Sequence, residues 1–210
     1  MQMDFITVLS FLGVAVLLTL MPGPDNLFVL AQSISQGKKA GIATAFGLCS
    51  GLIVHVAAAA LGISAIIYQS AIAFAIVKYA GAAYLLYLAW KSFREKESGL
   101  TLNDQKLLNY RSLYKKGILM NILNPKVSLF FLALLPQFVD QSTGHVPIQM
   151  LVLGVVFILQ AIIIFIIISF FSEKVRNLLL KSPRISKKLN YIQGTLLGII
   201  GLNIAFSGNK

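Results

Sequence analysis

Apolar residues along this chain fall into six long runs separated by short polar stretches. The first run extends from Phe5 to about Ile34, interrupted by Pro22, Gly23 and Pro24; the second covers about Ala40 to Ile67 and the third Ala71 to Trp90. A polar stretch, Ser98 to Lys116, precedes the fourth run, Gly117 to Phe138, which contains Asn124-Pro125-Lys126. The fifth spans Pro147 to Phe171 and the sixth Leu189 to Phe206. Crossing a hydrocarbon core about 30 Å thick takes roughly 20 apolar residues. Buried helices of a soluble protein are shorter and carry polar faces. The pattern therefore predicts an all-α integral membrane protein with about six transmembrane helices, the first and fourth broken by proline motifs.

Composition agrees, with 57% hydrophobic and 12% charged residues where soluble domains hold about 25% charged. The net charge of +11 raises nucleic acid as a partner, but the cations sit in clusters between apolar runs and no basic-aromatic face appears. Lys38 and Lys39 lie in the first loop. Lys91, Arg94, Lys96, Lys106, Arg111, Lys115 and Lys116 lie in the third, and Lys174, Arg176, Lys181, Arg184, Lys187 and Lys188 in the fifth. That places 15 of 18 cations on one side, which the positive-inside rule makes cytoplasmic, with both termini outside. The first run lacks the basic flank and cleavage site of a signal peptide, so it is expected to remain as a helix. Single Cys49 and the two histidines, His55 and His145, supply neither a disulfide nor a metal site. No cofactor is expected; lipid is the surrounding partner, and a homo-oligomer is compatible with the sequence.

Three crossings per half would make the second half enter the membrane from the opposite side. The expected organisation is a three-helix repeat over residues 1–93, a basic cytoplasmic linker over 94–116 and an inverted repeat over 117–210. The proline break at 22–24 corresponds to Asn124-Pro125. Asp25 lies 13 residues before Lys38, and Lys126 lies 14 before Asp140. Gly81 and Gly194 align the third and sixth helices. Paired breaks in inverted halves point to a transporter binding site.

Proline removes a backbone donor, and in hydrocarbon the freed groups must be covered by protein or line a wet cavity. Asp25 is the one acid inside a span, and it is placed to cap the restarted half-helix. Lys126 is the deep cation, because Lys78 lies close enough to an interface to snorkel. A buried charge costs at least about 2.5–3.5 kcal/mol on insertion scales. Either an Asp25–Lys126 pair or the two ends of a zwitterionic substrate would lower that cost. The candidate binding or coupling residues are thus Pro22, Gly23, Pro24, Asp25, Asn26, Asn121, Asn124, Pro125 and Lys126. His55 is either a proton carrier or a hydrogen-bonded interhelical histidine. Gln160 and Asn203 read as helix–helix contacts, Gly47 and Gly51 as a close-packing G-x-x-x-G, Tyr84 and Tyr87 as packing or cavity residues, and Trp90 as an interface residue.

Met21-Pro22-Gly23-Pro24 with Asp25-Asn26, Gly37 to Gly41, Gly81-Ala82-Ala83-Tyr84-Leu85 to Trp90, and Asn121 through Asn124-Pro125-Lys126 together resemble the LysE/RhtB family of bacterial amino-acid exporters. The resemblance covers nearly the whole chain. It implies a bacterial cytoplasmic-membrane protein that exports amino acids or derivatives, driven by an ion gradient, usually of protons. Small neutral substrates such as threonine or homoserine are favoured, since lysine would call for a second cavity carboxylate. The alternative is a cation transporter or channel using Asp25 as ion ligand. An enzyme is not expected, because no nucleophile–base set or ligand cluster is present. Related families handling cadmium or reducing equivalents are disfavoured by the single cysteine.

Overall fold

The computed structural model describes residues 4–21, 23–63, 71–94, 109–140, 142–174 and 183–206. Helix α1 (Phe5–Leu20) is capped by Asp4, whose carboxylate accepts the Ile6 N–H at 3.2 Å. Helix α2 (Pro24–Gln36) opens on a proline, where the missing N–H would have had no helical partner. It stops at Gly37, whose φ of 84° suits glycine alone. Helix α3 (Lys38–Ala58) runs on through a π turn, Ala59–Ile63, and α4 (Ala71–Arg94) follows. The second run expected to Ile67 leaves the described residues after Ile63.

Helix α5 (Tyr110–Ile122) leads to α6 (Pro125–Leu129), which continues as a π turn, Phe130–Leu134, and a 3₁₀ turn, Leu135–Phe138. Pro136 has no N–H for an α-helical bond, and the change of winding falls there. Helices α7 (Val146–Phe170) and α8 (Pro183–Phe206) complete the chain. Two helices begin ahead of their apolar runs. Asn109 caps α5 by accepting the Ser112 N–H at 2.8 Å, and the first turns bury Leu113 while exposing Arg111, Lys115 and Lys116. Hydropathy alone passes over such an amphipathic start. Helix α8 begins at Pro183 rather than Leu189, again with proline in the opening position.

The chain is an all-α integral membrane protein. Helix α3 with its π turn and α7 are each long and apolar enough to cross a bilayer. The pair α1 and α2 bends by 56°, the pair α5 and α6 with its extension bends by 49°, and each pair together is long and apolar enough for a broken span or a re-entrant loop. Helices α4 and α8, 24 residues each, measure about 36 Å at 1.5 Å per residue and pack along one another. The outward face of α7 presents Ile148, Leu151, Val155, Leu159, Ile163 and Ile167, all exposed. A contiguous face of that kind suits lipid and not water.

The same order of elements occurs twice: a broken pair, a long helix, then another. Counterparts pack together, α3 on α7 and α4 on α8, while α3 meets α5 as α7 meets α1. Lipid tails are as apolar as the helices, so close backbone approach, not hydrophobic expulsion, holds such pairs. A Cβ on Gly117 would stand 2.7 Å from the Thr44 carbonyl oxygen, and one on Gly47 would strike the Tyr114 backbone. Phe11, Phe130, Phe131 and Phe157 form a buried aromatic cluster, for example Phe130 on Phe157 at 5.0 Å between ring centroids.

Candidate functional site

The two breaks meet. A cavity of about 50 Å³ lies between them, lined by Gly23, Pro24, Asp25, Asn26, Asn121, Asn124 and Lys126 together with residues of α1, α3 and α7. One water needs roughly 10–15 Å³ by this kind of measure, so the space holds a few waters or a very small solute. Pro125 is the first residue of α6 and is not among the lining residues. Pro22 lies outside the described residues.

Asp25 does not cap α2. The cap position is Gly23, with no side-chain cap, and Asp25 turns instead to the other broken helix. Its two carboxylate oxygens accept from Asn121 Nδ2 and Asn124 Nδ2, both at 3.0 Å. Asn124 also caps α6, its Oδ1 accepting the Lys126 N–H at 3.1 Å. One asparagine thus starts a half-helix and grips a carboxylate 99 residues away. Asn26 braces the first break: its Nδ2 donates to the Thr19 and Met21 carbonyls at 2.7 and 2.6 Å.

Lys126 forms no direct ion pair with Asp25. Its Nζ reaches the Leu18 carbonyl oxygen at 3.5 Å and lies beside Gly23, 3.6 Å from where a Cβ there would sit. The ammonium therefore stands at the uncapped N-terminus of α2, where the helix dipole is positive. Asp25, in the first turn of the same helix, is held by the two asparagines rather than by this ammonium.

Among the described residues, three buried side-chain oxygens have no hydrogen-bond partner: Asn26 Oδ1, Asn121 Oδ1 and Gln160 Oε1. Their amides are not free to turn. Asn26 Nδ2 faces two carbonyls, and Asn121 Nδ2 faces the carboxylate. Gln160 Nε2 donates to Thr19 Oγ1 at 2.8 Å, and that hydroxyl has already given its one proton to the Ala15 carbonyl at 2.9 Å. A buried acceptor left unpaired costs about 1–3 kcal/mol. Asn26 and Asn121 line the cavity, and Gln160 does not.

The remaining candidates separate. His55 is the hydrogen-bonded interhelical histidine, its Nε2 donating to the Asn121 carbonyl at 3.0 Å and its ring stacked on Phe131 at 6.0 Å. Gly51 makes room for Asn121: a Cβ there would lie 2.8 Å from Asn121 Cβ. Lys78 does not snorkel; it is buried, with its Nζ 5.2 Å from the Tyr79 ring centroid. Tyr84, Tyr87 and Trp90 form an aromatic row away from the cavity, with Arg94 over Trp90 at 4.4 Å. Asn203 is exposed rather than packed between helices. Among the described residues, no three His, Cys, Asp or Glu side chains gather as metal ligands. Sequence reasoning missed Thr19, a hydroxyl one turn before the first break, and took Gln160 only as a helix contact.

A family model described as LysE type translocator matches residues 16–208. An uncharacterized membrane protein of Vibrio cholerae is 32% identical, covering 97% of this chain and 98% of the relative. The uncharacterized membrane protein YrhP of Bacillus subtilis is 30% identical over 96% of this chain and 99% of its own. The homoserine/homoserine lactone efflux protein of Salmonella typhimurium is 30% identical over 93% of this chain and 94% of its own. No solved structure matches.

Proposed function

Since the chain belongs to the family of LysE type translocators, we propose that it is a secondary exporter of small neutral amino acids or their derivatives, threonine and homoserine among them. The observation that carries this reading is that one cavity is lined by both an ammonium, on Lys126, and a carboxylate, on Asp25, each bonded to other groups. Lys126 and the α2 N-terminus gather positive potential at one point, beside Gly23, which leaves the approach clear. Asp25, held by Asn121 and Asn124, supplies the carboxylate of the same cavity. A substrate carboxylate fits the first and its ammonium, with three N–H donors, fits the second. The name of the Salmonella relative, a homoserine/homoserine lactone efflux protein, is consistent with this assignment.

The proposed transport cycle rocks residues 1–93 against 117–210, inverted halves joined by a basic cytoplasmic linker over 94–116, so that the shared cavity opens to each side in turn. This gives six spans in the cytoplasmic membrane, the basic loops inside and both termini outside. Asp25, the carboxylate in that cavity, is the proposed proton carrier. It takes a proton from outside and yields it inside, which couples export to the gradient.

The test is efflux of a panel of labelled amino acids from preloaded cells and from vesicles, with and without a proton gradient. Saturable, gradient-dependent export of one or two amino acids is expected. Movement of a cation with none of any amino acid would instead make Asp25 an ion ligand and overturn the assignment.

A further inference from the structure

We infer that His55 is a positioning residue for the substrate: it holds the second broken helix on both sides of its proline and so aims the Asn121 amide that grips Asp25. The inference rests on the amino-acid exporter reading and deepens it, since His55 does not line the cavity and acts through groups that do. In an unbroken helix the Asn121 carbonyl would accept the N–H of residue 125, and Pro125 has none. The Asn124 N–H reaches that carbonyl at 2.9 Å and closes a tighter turn. His55 Nε2 takes its second lone pair at 3.0 Å. A carbonyl only accepts, so the imidazole carries a proton on Nε2.

Beyond the proline the same ring lies nearly parallel to Phe131, with 6.0 Å between centroids and 12° between planes. His55 therefore meets the chain four residues before Pro125 and six after it, across a bend of 49°. It comes from α3, which belongs to neither piece, and it is buried there. One turn earlier on α3, a Cβ on Gly51 would lie 2.9 Å from Asn121 Oδ1. Helix α3 thus sets Asn121 at its carbonyl and at its side chain, and Asn121 Nδ2 donates to Asp25 Oδ2 at 3.0 Å. The first break is served in the same way. Pro22 has no N–H for the Leu18 carbonyl, and the Lys126 ammonium reaches that oxygen at 3.5 Å. Each proline leaves the carbonyl four residues earlier to a side chain from another helix. Lys126 lines the cavity, where a substrate carboxylate can compete for it; His55 stands outside, where none competes. Loss of the His55 bond frees the end of α5 and carries the Asn121 amide off Asp25.

The experiment measures initial uptake of labelled threonine and homoserine into inside-out vesicles containing the full chain, with kcat scaled to inserted protein. His55→Phe keeps a ring for Phe131 and removes the donor. Its KM is expected to rise about tenfold or more, with kcat changed less, the scale on which groups that orient a metal's ligands act. His55→Gln, whose Nε2 stands at similar reach, should recover most of the loss. Asn121→Ala keeps the carbonyl and removes the amide. Adding His55→Phe to it should raise KM no further, whereas independent effects would multiply; if Asn121→Ala transports nothing, the single variants decide. A His55→Phe that lowers only the amount inserted, with KM unchanged, would overturn the inference and leave the exporter reading intact. So would a His55→Gln that fails to recover KM, or multiplication of the two effects. If His55→Phe does not insert, Phe131→Leu decides: removing the face on which the ring rests should raise KM, and an unchanged KM would overturn the inference. Wild-type vesicles that take up neither amino acid would overturn the exporter reading, and this inference with it.

Discussion

Replacing Asp25 by asparagine and by leucine separates its charge from its hydrogen bonds. In Asp25→Asn the new Oδ1 can accept from Asn124, whose amide is fixed because its own oxygen caps α6. The new Nδ2 would face Asn121 Nδ2, but Asn121 can turn over, since its Oδ1 has no other partner. Both contacts are then restored with the charge removed. In Asp25→Leu neither amide finds an acceptor. Two N–H groups left unpaired at about 1–3 kcal/mol each make Leu less stable than Asn by about 2–6 kcal/mol. The lost charge is common to both variants, so the difference isolates the amides. For a chain of this length 1 kcal/mol moves the midpoint by about 2–4 °C, a scale taken from soluble proteins, so Leu should melt at least about 4 °C below Asn. The assay is thermal unfolding of the purified protein in detergent, paired with uphill efflux and downhill exchange in vesicles. Asp25→Asn should retain exchange and lose gradient-driven accumulation, having no group left to carry the proton. Equal melting of the two variants would refute the hydrogen-bond reasoning. Uphill pumping by Asp25→Asn would refute the proton-carrier role.

Asn124→Ala removes the α6 cap, worth about 1 kcal/mol, together with a bond to Asp25; the melting midpoint should drop by more than for Asn124→Ser, which keeps a capping oxygen. Gly51→Ala puts a methyl group against Asn121. A cost of about 1–3 kcal/mol from overpacking should outweigh the roughly 1 kcal/mol helix-propensity gain, and efflux per inserted molecule should fall. Asp140, in the loop before α7, has its carboxyl held below the ordinary 3.8 by hydrogen bonds from the Ser142 hydroxyl and backbone N–H. Its contribution to that loop is complete above the ordinary value and is lost as pH falls through the lowered one. Carboxyl NMR should place the midpoint below 3.8, and Ser142→Ala should raise it.

The sequence by itself determined the class of the protein and the location of its breaks. Runs of about 20 apolar residues leave few alternatives to membrane helices, because the spacing answers to bilayer thickness alone. Proline acts on the backbone within a few residues, so the restarts at Pro24 and Pro125 were legible without any knowledge of neighbours. Helix ends were less so: α5 starts on a cap and an amphipathic turn that hydropathy overlooks. Only the tertiary structure decided which polar groups meet. That Asp25 is held by two asparagines 96 and 99 residues away, and that Lys126 stands at Gly23 rather than on Asp25, depends on how each helix is rotated about its axis. Gln160 in a run of isoleucine and valine carried a weak signal as a lone mid-span amide, but its partner, 141 residues earlier, did not. Hydrogen bonds between helices are fixed by close approach at small residues such as Gly47, Gly51 and Gly117, and a periodicity along one helix holds no record of the face its neighbour presents.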